Sequence, residues 1–441
     1  MFRIVLITLL FAFPLKILAQ SHVAITTFYD KNKKVVKEKF EAINGDSNRI
    51  DGNYIKFYNT GAKETVGQFE NGDKVGTFTT YYPNGVVQQT LSFAGGKKEG
   101  PVKVYTDDGK LLQEGTFANN ELAGTLKLYF PDGKIKSTTD FESGKPDGKI
   151  VEYYENGKLK REQTYANGKV NGLTRSYYDT GILKSEENYE DGILNGYFKT
   201  YFPNGQLDTE ARNEKGKRNG NFVTYNQKGV KIIEGEFLNG KLNGDNTSWY
   251  DNGELKHKFK YANGFKVGKN VEYYQDGKVK MEGHFSNDEK DSEVKEYYSN
   301  GQPSAETYTV NGKPEGVQKK WYNNGQLMEV STFENGLENG THKLFYNGGQ
   351  LEKETPYIGN KKVGIEKIYY ENGKTKASIT YKSDKKHGPA EFYYADGNLQ
   401  QKGQYGGNKK VGNWETYLPN GKHILIEIYD NGELVESKKV E

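Results

Sequence analysis

The chain has 441 residues with 34 tyrosines, 22 phenylalanines, 53 glycines and no cysteine, and its 62 basic residues nearly balance its 59 acidic ones. The absence of cysteine excludes a disulfide framework and thiolate metal sites. The even charge balance gives no electrostatic footprint for nucleic acid or for an anionic membrane surface.

Met1-Phe2-Arg3, the apolar run Ile4 to Pro14 and the small-residue exit Ile17-Leu18-Ala19-Gln20 read as a secretory signal peptide, residues 1–19, cleaved near Ala19. Pro14 and Lys16 keep this run short of the ~20 apolar residues a spanning helix needs. No integral membrane segment is therefore expected in the mature chain, which is expected to be periplasmic or secreted. Residues 22–29 alternate apolar and polar side chains and predict a first strand. Residues 20–52 form an atypical capping repeat, with five extra residues between Phe40 and Gly52. Residues 53–432 are tandem repeats, and 433–441 form a charged tail.

The repeat is set by glycine: from Gly61 to Gly421 every twenty-fourth residue is glycine. A fixed period of this length implies an array in which each unit packs on its neighbours. Two residues occupy the place before each turn. The first, at 57, 81, 105 and so on to 417, is aromatic throughout; the second is also aromatic, mostly tyrosine, with Thr106, Asn226 and Leu418 as exceptions. Adjacent strand residues point to opposite faces, which predicts one aromatic ladder per face, the fully aromatic column forming the core.

The turn follows, as in Glu155-Asn156-Gly157, and Asn-Gly between two strand-like runs is a strong hairpin signal. A returning strand begins with an aliphatic such as Leu159 and ends on an aromatic such as Tyr165. The second turn is typified by Asn167-Gly168-Lys169-Val170-Asn171-Gly172. Its key position, from Asn48 to Gly432, holds only Gly, Asn or Asp, the residues that tolerate left-handed backbone. The closing glycine fails only at Ser292. The fold class predicted is all-β, an elongated antiparallel β-hairpin repeat array: a single twisted meander sheet of about 16 units of 24 residues, on the order of 150 Å long at ~4.8 Å per strand. Loss of consensus marks two weak places, one around Asn213 and Asn226, the other around Asp288 and Ser292.

The unit Tyr-Tyr-x-Asn-Gly-x-Leu followed by aromatic-x-Asn-Gly-Lys-x-x-Gly resembles the variant MORN (membrane occupation and recognition nexus) repeat of bacterial proteins, over roughly residues 52–432. The resemblance implies a hairpin array that acts as a scaffold, a dimerisation platform or a binder of lipid or protein. Some such proteins are antitoxin-like partners of a toxin, a role the signal peptide counts against unless the toxin is exported too.

No constellation in the chain suggests catalysis. The six histidines fall at unrelated positions of the repeat, and Lys374-Thr375 after Gly373 lacks the earlier glycine of a phosphate loop, Ile368 standing there. Glutamates such as Glu114, Glu162, Glu306 and Glu354 recur five residues after the turn glycine, a placement that suits cross-strand pairing with lysine. No enzyme activity, cofactor or metal is expected. The candidate binding face is the tyrosine row Tyr82, Tyr154, Tyr178, Tyr274, Tyr298, Tyr322, Tyr346, Tyr370 and Tyr394, which could anchor a protein partner or stack on sugar rings. The expected function is a non-catalytic exported scaffold for protein–protein interaction or self-association. Carbohydrate or cell-envelope polymer binding is the alternative from another class.

Overall fold

The computed structural model describes residues 21–441, so the expected signal peptide lies outside the described residues. Among them there are 41 strands and no helix. They divide into two bodies, the first ending at Gly196 and including Pro203–Gly205, the second comprising Tyr197–Phe202 and Gln206–Glu441. In each body, strands that follow one another in sequence pair antiparallel, as Lys145–Tyr153 does with Leu159–Ala166 and Gly244–Trp249 with Leu255–Ala262. The expected first strand is present as His22–Phe28. The five extra residues of the first repeat fall in the loop after Ile43, where Asn44 and Gly45 take the left-handed conformation expected of Asn48.

The two Asn-Gly turns of a repeat are of different kinds. In the first, the Gly157 N–H donates to the Tyr154 carbonyl at 2.8 Å and the Tyr154 N–H to the Lys158 carbonyl at 2.9 Å. Gly157 has φ of 81°, while Asn156 is not left-handed. This is a three-residue loop, a type I turn closed by a left-handed glycine. In the second, Asn167 and Gly168 both have positive φ, 53° and 79°, as the two-residue type I′ turn requires. Asn120, Asp288, Asn360, Asp384 and Asn408 stand at the place of Gly168 in other repeats, and all are left-handed as expected.

The core lies elsewhere than the sequence predicts. The fully aromatic column is half-buried on the charged face, where eight of its sixteen members sit two residues after a lysine or arginine, as Tyr129 follows Lys127 and Tyr177 follows Arg175. The tightest packing is in two variable columns, seven residues before and six after the turn glycine. They hold the buried Phe78, Val102, Ala211, Phe222, Ile379, Ala390 and Trp414. Bulk in one is matched by its absence in the other. A Cβ on Gly67 would come within 2.5 Å of the Phe78 ring, and one on Gly403 would lie inside the Trp414 indole.

In the first body these columns and the strand-end aromatics form a ladder, Phe40, Tyr54, Phe69, Phe78 and Phe93, with successive ring centroids 5.2–6.4 Å apart. Edge-on aromatic pairs contribute about 0.5–1.5 kcal/mol each beyond their buried area. In the second body the largest cluster is Ala377, Ile379, Ala390 and Trp414, with Phe392, Tyr405 and Tyr429 against it. Between residues 246 and 366 the first of the two columns turns mostly polar, with Asn246, Asn270, Gln318, His342 and Glu366, and the exception Val294.

Strand continuity follows the occupant of this column. Where a nine-residue strand runs unbroken the column residue is Phe78, Val102, Leu126, Ile150, Phe198, Phe222, Ala390 or Trp414. Where the strand is interrupted it is Thr174, Asn246, Asn270, Gln318, His342 or Glu366. Asn270 and Gln318 show how a polar side chain can take over ladder hydrogen bonds. Asn270 accepts from the Lys260 N–H at 2.9 Å and donates to the Val267 carbonyl at 3.1 Å. Gln318 does the same with the Tyr308 N–H at 3.0 Å and the Glu315 carbonyl at 3.1 Å.

Candidate functional site

The tyrosine row is built into the junctions between repeats. In eight of the nine the hydroxyl reaches the strand-end carbonyl of the next repeat, from Tyr82 to Tyr105 at 2.9 Å, Tyr154 to Tyr177 at 2.8 Å and Tyr274 to Tyr297 at 2.7 Å. Tyr298, Tyr322, Tyr346, Tyr370 and Tyr394 repeat the contact at 2.7–3.0 Å. The turn asparagine adds a second link, as from Asn156 Nδ2 to the Asp179 carbonyl at 2.9 Å. Lys184 and Lys376 lie over the rings of Tyr178 and Tyr370. All nine tyrosines are half-buried. Where tyrosine is missing, Thr106 and Asn226 fasten their own turns, accepting from the N–H groups of Lys110 and Val230 at 3.0 Å.

The repeating glutamates pair with lysine or arginine across the strands on one face. Glu162 and Glu186 flank Arg175 at 3.4 and 2.9 Å, and Glu306 lies between Lys295 and Lys319 at 3.6 and 3.4 Å. The strand-end tyrosine joins these pairs, Tyr129 donating to Glu114 at 2.6 Å. Burial and this carboxylate push the Tyr129 phenol up to about 12, and the same hydrogen bond, with Lys127, holds Glu114 below its usual range.

On this charged face the second body carries a feature the tyrosine row does not. The positions eight before and seven after the turn glycine pair across each hairpin. Up to residue 308 these rungs carry charge, as Asn221 with Glu236, Asp245 with Lys260, Lys269 with His284 and Glu293 with Tyr308. Beyond it they lose all charge: Val317 with Thr332, Thr341 with Pro356, Ile365 with Thr380 and Pro389 with Gln404. Val317 and Ile365 are 41% and 49% exposed, and Val310, Leu337 and Ile358 beside them 46%, 47% and 64%. A concavity of about 730 Å³ opens at the start of this row, lined by His284, Glu293, Glu306, Tyr308, Val310, Val317 and Lys319 among others.

The concavity sits at one of the two places where the consensus fails. Ser292 stands where the other repeats have a left-handed glycine, and the strand Asp291–Tyr297 pairs with Val279–Ser286 without any register shift. The surplus residue moves into the turn, where Asn287, Asp288 and Glu289 are all left-handed. Tyr308 donates to Glu306 at 2.8 Å, and this bond with the neighbouring lysines lowers the Glu306 carboxyl. Among the described residues no group of three His, Cys, Asp or Glu side chains could hold a metal ion. The sequence reading missed this row because it ranked repeated residues, whereas the signal is a run of ten rung positions without charge, from Val317 to Ile428.

A stack of twisted hairpins joined by tyrosine and asparagine links defines the class, a β-hairpin repeat protein. The MORN repeat variant pattern matches residues 74–94, 98–119, 122–143, 146–167, 170–191, 194–212, 266–287, 290–311, 314–335, 338–358, 362–383 and 386–405, and the chain belongs to that family. No curated protein is recognisably similar in sequence. Among solved structures, the chain is similar to the crystal structure of TcdB2-TccC3-TEV, at 13% identity and TM-score 0.15, over 92% of this chain and 23% of that one. It is also similar to the Photorhabdus luminescens Tc holotoxin pore, at 11% identity and TM-score 0.14, over 91% of this chain and 29% of that one. The chain thus spans under a third of the length of these chains, and the likeness carries no argument about its function. Repeats of its own family generally serve interaction with proteins or membranes.

Proposed function

We propose that the protein is a non-catalytic scaffold, exported after loss of residues 1–19, that binds another polypeptide through the uncharged row of its second body. The observation that carries this reading is the exposure of Val310, Val317, Leu337, Ile358 and Ile365 along strands whose outward face also bears Glu306, Lys319, Glu354 and Lys367. A contiguous exposed apolar patch marks an interaction surface more often than a stable solvent face. The tyrosine row offers a partner ring surface, hydroxyls such as those of Tyr82 and Tyr394 being spent on carbonyls of the array itself. The export component rests on the charge, apolar run and small-residue exit of the first 20 residues.

The test is to recover the protein from the exported fraction of its host, sequence its N-terminus and cross-link it there, alongside Val317→Asp/Ile365→Asp. The reading expects a chain beginning near Gln20 whose cross-linked polypeptide adduct is lost in the variant with its melting temperature kept. A cytosolic chain retaining Met1, or an adduct indifferent to the variant, contradicts it.

A further inference from the structure

The first turn of most repeats ends on Asn-Gly or Asp-Gly, and an asparagine there can tie the turn down twice. Asn324 accepts from the Gln326 N–H at 3.0 Å and donates to the carbonyl of Asn347 in the next repeat at 2.9 Å. Asn372 does the same with the Lys374 N–H at 3.0 Å and the Ala395 carbonyl at 2.8 Å. The turn between these two breaks the pattern. It reads Tyr346-Asn347-Gly348-Gly349-Gln350, so the Asn-Gly pair stands one place early and Gly348 supplies neither the cap nor the link. Asn347 and Gly348 are both exposed. In Asn156-Gly157, Asn167-Gly168, Asn311-Gly312 and Asn431-Gly432 the glycine N–H donates to a carbonyl at 2.7–2.9 Å, whereas among the described residues the Gly348 N–H donates to none. Asn347 Nδ2 is likewise without a partner there, and Asn347 Oδ1 accepts from Asn324 Nδ2 at 2.9 Å.

We propose that Asn347 is a site of self-modification, its side chain converting through a succinimide to aspartate and isoaspartate ahead of turns such as Asn156-Gly157 and Asn311-Gly312. The Gly348 nitrogen bonds to Asn347 Cγ and gives up its proton, and Nδ2 leaves with that proton as ammonia. Solvent water then opens the ring. Attack at Cγ restores the ordinary backbone with aspartate at 347, and attack at the main-chain carbonyl leaves the chain running through Cγ, which is isoaspartate. Glycine favours ring closure because no Cβ obstructs the approach of its nitrogen, and the chain itself holds the two groups together. A nitrogen whose N–H is already donating must first lose that bond, which sets the other turns back. Asn324 helps at the opposite end, since its Nδ2 meets the oxygen on which negative charge develops.

Both products place a carboxylate where Asn324 now meets an amide. Isoaspartate also adds a methylene to a loop whose length is set by two bonds at 2.8 Å, from the Tyr346 N–H to the Gln350 carbonyl and from the Gly349 N–H to the Tyr346 carbonyl. The joint affected is the one that Tyr322 and Asn324 make with the carbonyls of Phe345 and Asn347. This turn closes the hairpin that carries Thr341 and Pro356 of the uncharged row. Modification therefore loosens one junction between repeats and leaves the side chains of the row as they are.

The experiment is peptide mapping by mass spectrometry of the purified full chain, aged in heavy-oxygen water at mildly alkaline pH, with Gly348→Asn and Asn324→Asp aged beside it. Gly348→Asn restores the Asn-Asn-Gly order found at 323–325. Gly348 is not left-handed, and a Cβ there would meet only the amide end of Gln350, at 2.5 Å. Asn324→Asp keeps the cap and turns the donor into an acceptor. The wild type should gain labelled aspartate and isoaspartate at 347, isoaspartate in excess, about tenfold faster than at Asn156 or Asn311. Each variant should slow the conversion at 347 several-fold while its circular dichroism stays that of the wild type. Conversion spread evenly over the Asn-Gly turns, an absence of label at 347, or a rate at 347 indifferent to either variant overturns the proposal.

Discussion

Tyr54 and Phe78 in the ladder from Phe40 to Phe93 occupy the same place in the repeat as the column from Asn246 to Glu366, yet one region is held by rings and the other by hydrogen bonds. In the first, Phe69, Phe78 and Phe93 stack edge to face at 5.4 and 5.2 Å. In the second, Thr355 and Lys362 each meet Glu366 at 2.8 Å, and Ser248 and Asn246 hold His257 at 2.7 and 3.1 Å. The apolar occupant leaves the strand whole, and the polar one interrupts it. What the repeat fixes is the backbone path and the links between neighbours. What it leaves free is the means of filling the space between them, which is why packing in such an array is local.

Several substitutions would break this contrast, beginning with the largest effect. Trp414→Ala empties a fully buried site and should cost about 3–5 kcal/mol. Calorimetry should show part of the loss returned when Gly403→Ala fills the space, whereas Gly403→Ala alone should destabilise by clash. Additive effects of the two would show that the columns do not interlock. Asn270→Leu should cost about 1–3 kcal/mol, because it leaves the Lys260 N–H and the Val267 and Gly268 carbonyls without partners. Hydrogen exchange should locate that loss at Lys260, and unchanged protection there would sink the assignment.

Smaller effects sharpen the comparison between regular and irregular repeats. Gly316 has φ of 67°, so Gly316→Ser should cost about 1–2 kcal/mol. Ser292→Gly, at the matching place with ordinary backbone, should change stability by under ~1 kcal/mol. Equal costs would mean that the bulge was not lost at Ser292. Tyr322→Phe removes one link to Phe345 and should cost about 0.5–1.5 kcal/mol.

The charged column also makes a prediction about pH. Burial works to raise the Glu366 carboxyl, but the hydrogen bonds from Lys362 and Thr355 outweigh it and leave it below its ordinary value of 4.5. Its contribution is therefore present above that value and lost as pH falls through the lower folded value. The Tyr129 phenol is shifted the other way, so its contribution is present below pH 10.0 and lost as pH rises toward about 12. Glu366→Gln should flatten the acid limb of the stability curve, and an unchanged limb would contradict the assignment.

The period, the all-β class, the hairpins and the left-handed turn positions were legible because backbone conformation restricts residue type and the restriction recurs every 24 residues. The two turn types were not distinguished, since both are written Asn-Gly and differ only in loop length, Tyr154 to Lys158 against Ala166 to Lys169. The core columns were hidden by compensation. Phe78 against Gly67 and Ile379 against Glu366 satisfy the same volume with no residue in common. The Tyr82 to Tyr394 row drew notice by repetition, but repetition marked a joint between repeats. Uncharged rungs run together only locally, polar from Asn53 to Thr116 and with exposed Val317 and Ile365 in the second body, and a local departure is invisible to a search for what recurs.

The most direct test sets those two rows against each other in the mature chain. Val317→Asp/Ile365→Asp and Tyr322→Phe/Tyr346→Phe would each be examined by melting and by cross-linking in the exported fraction. The account predicts that the first pair loses association at unchanged melting temperature, and that the second melts lower while association persists. The reverse pattern would place the interaction surface on the tyrosine row and contradict it.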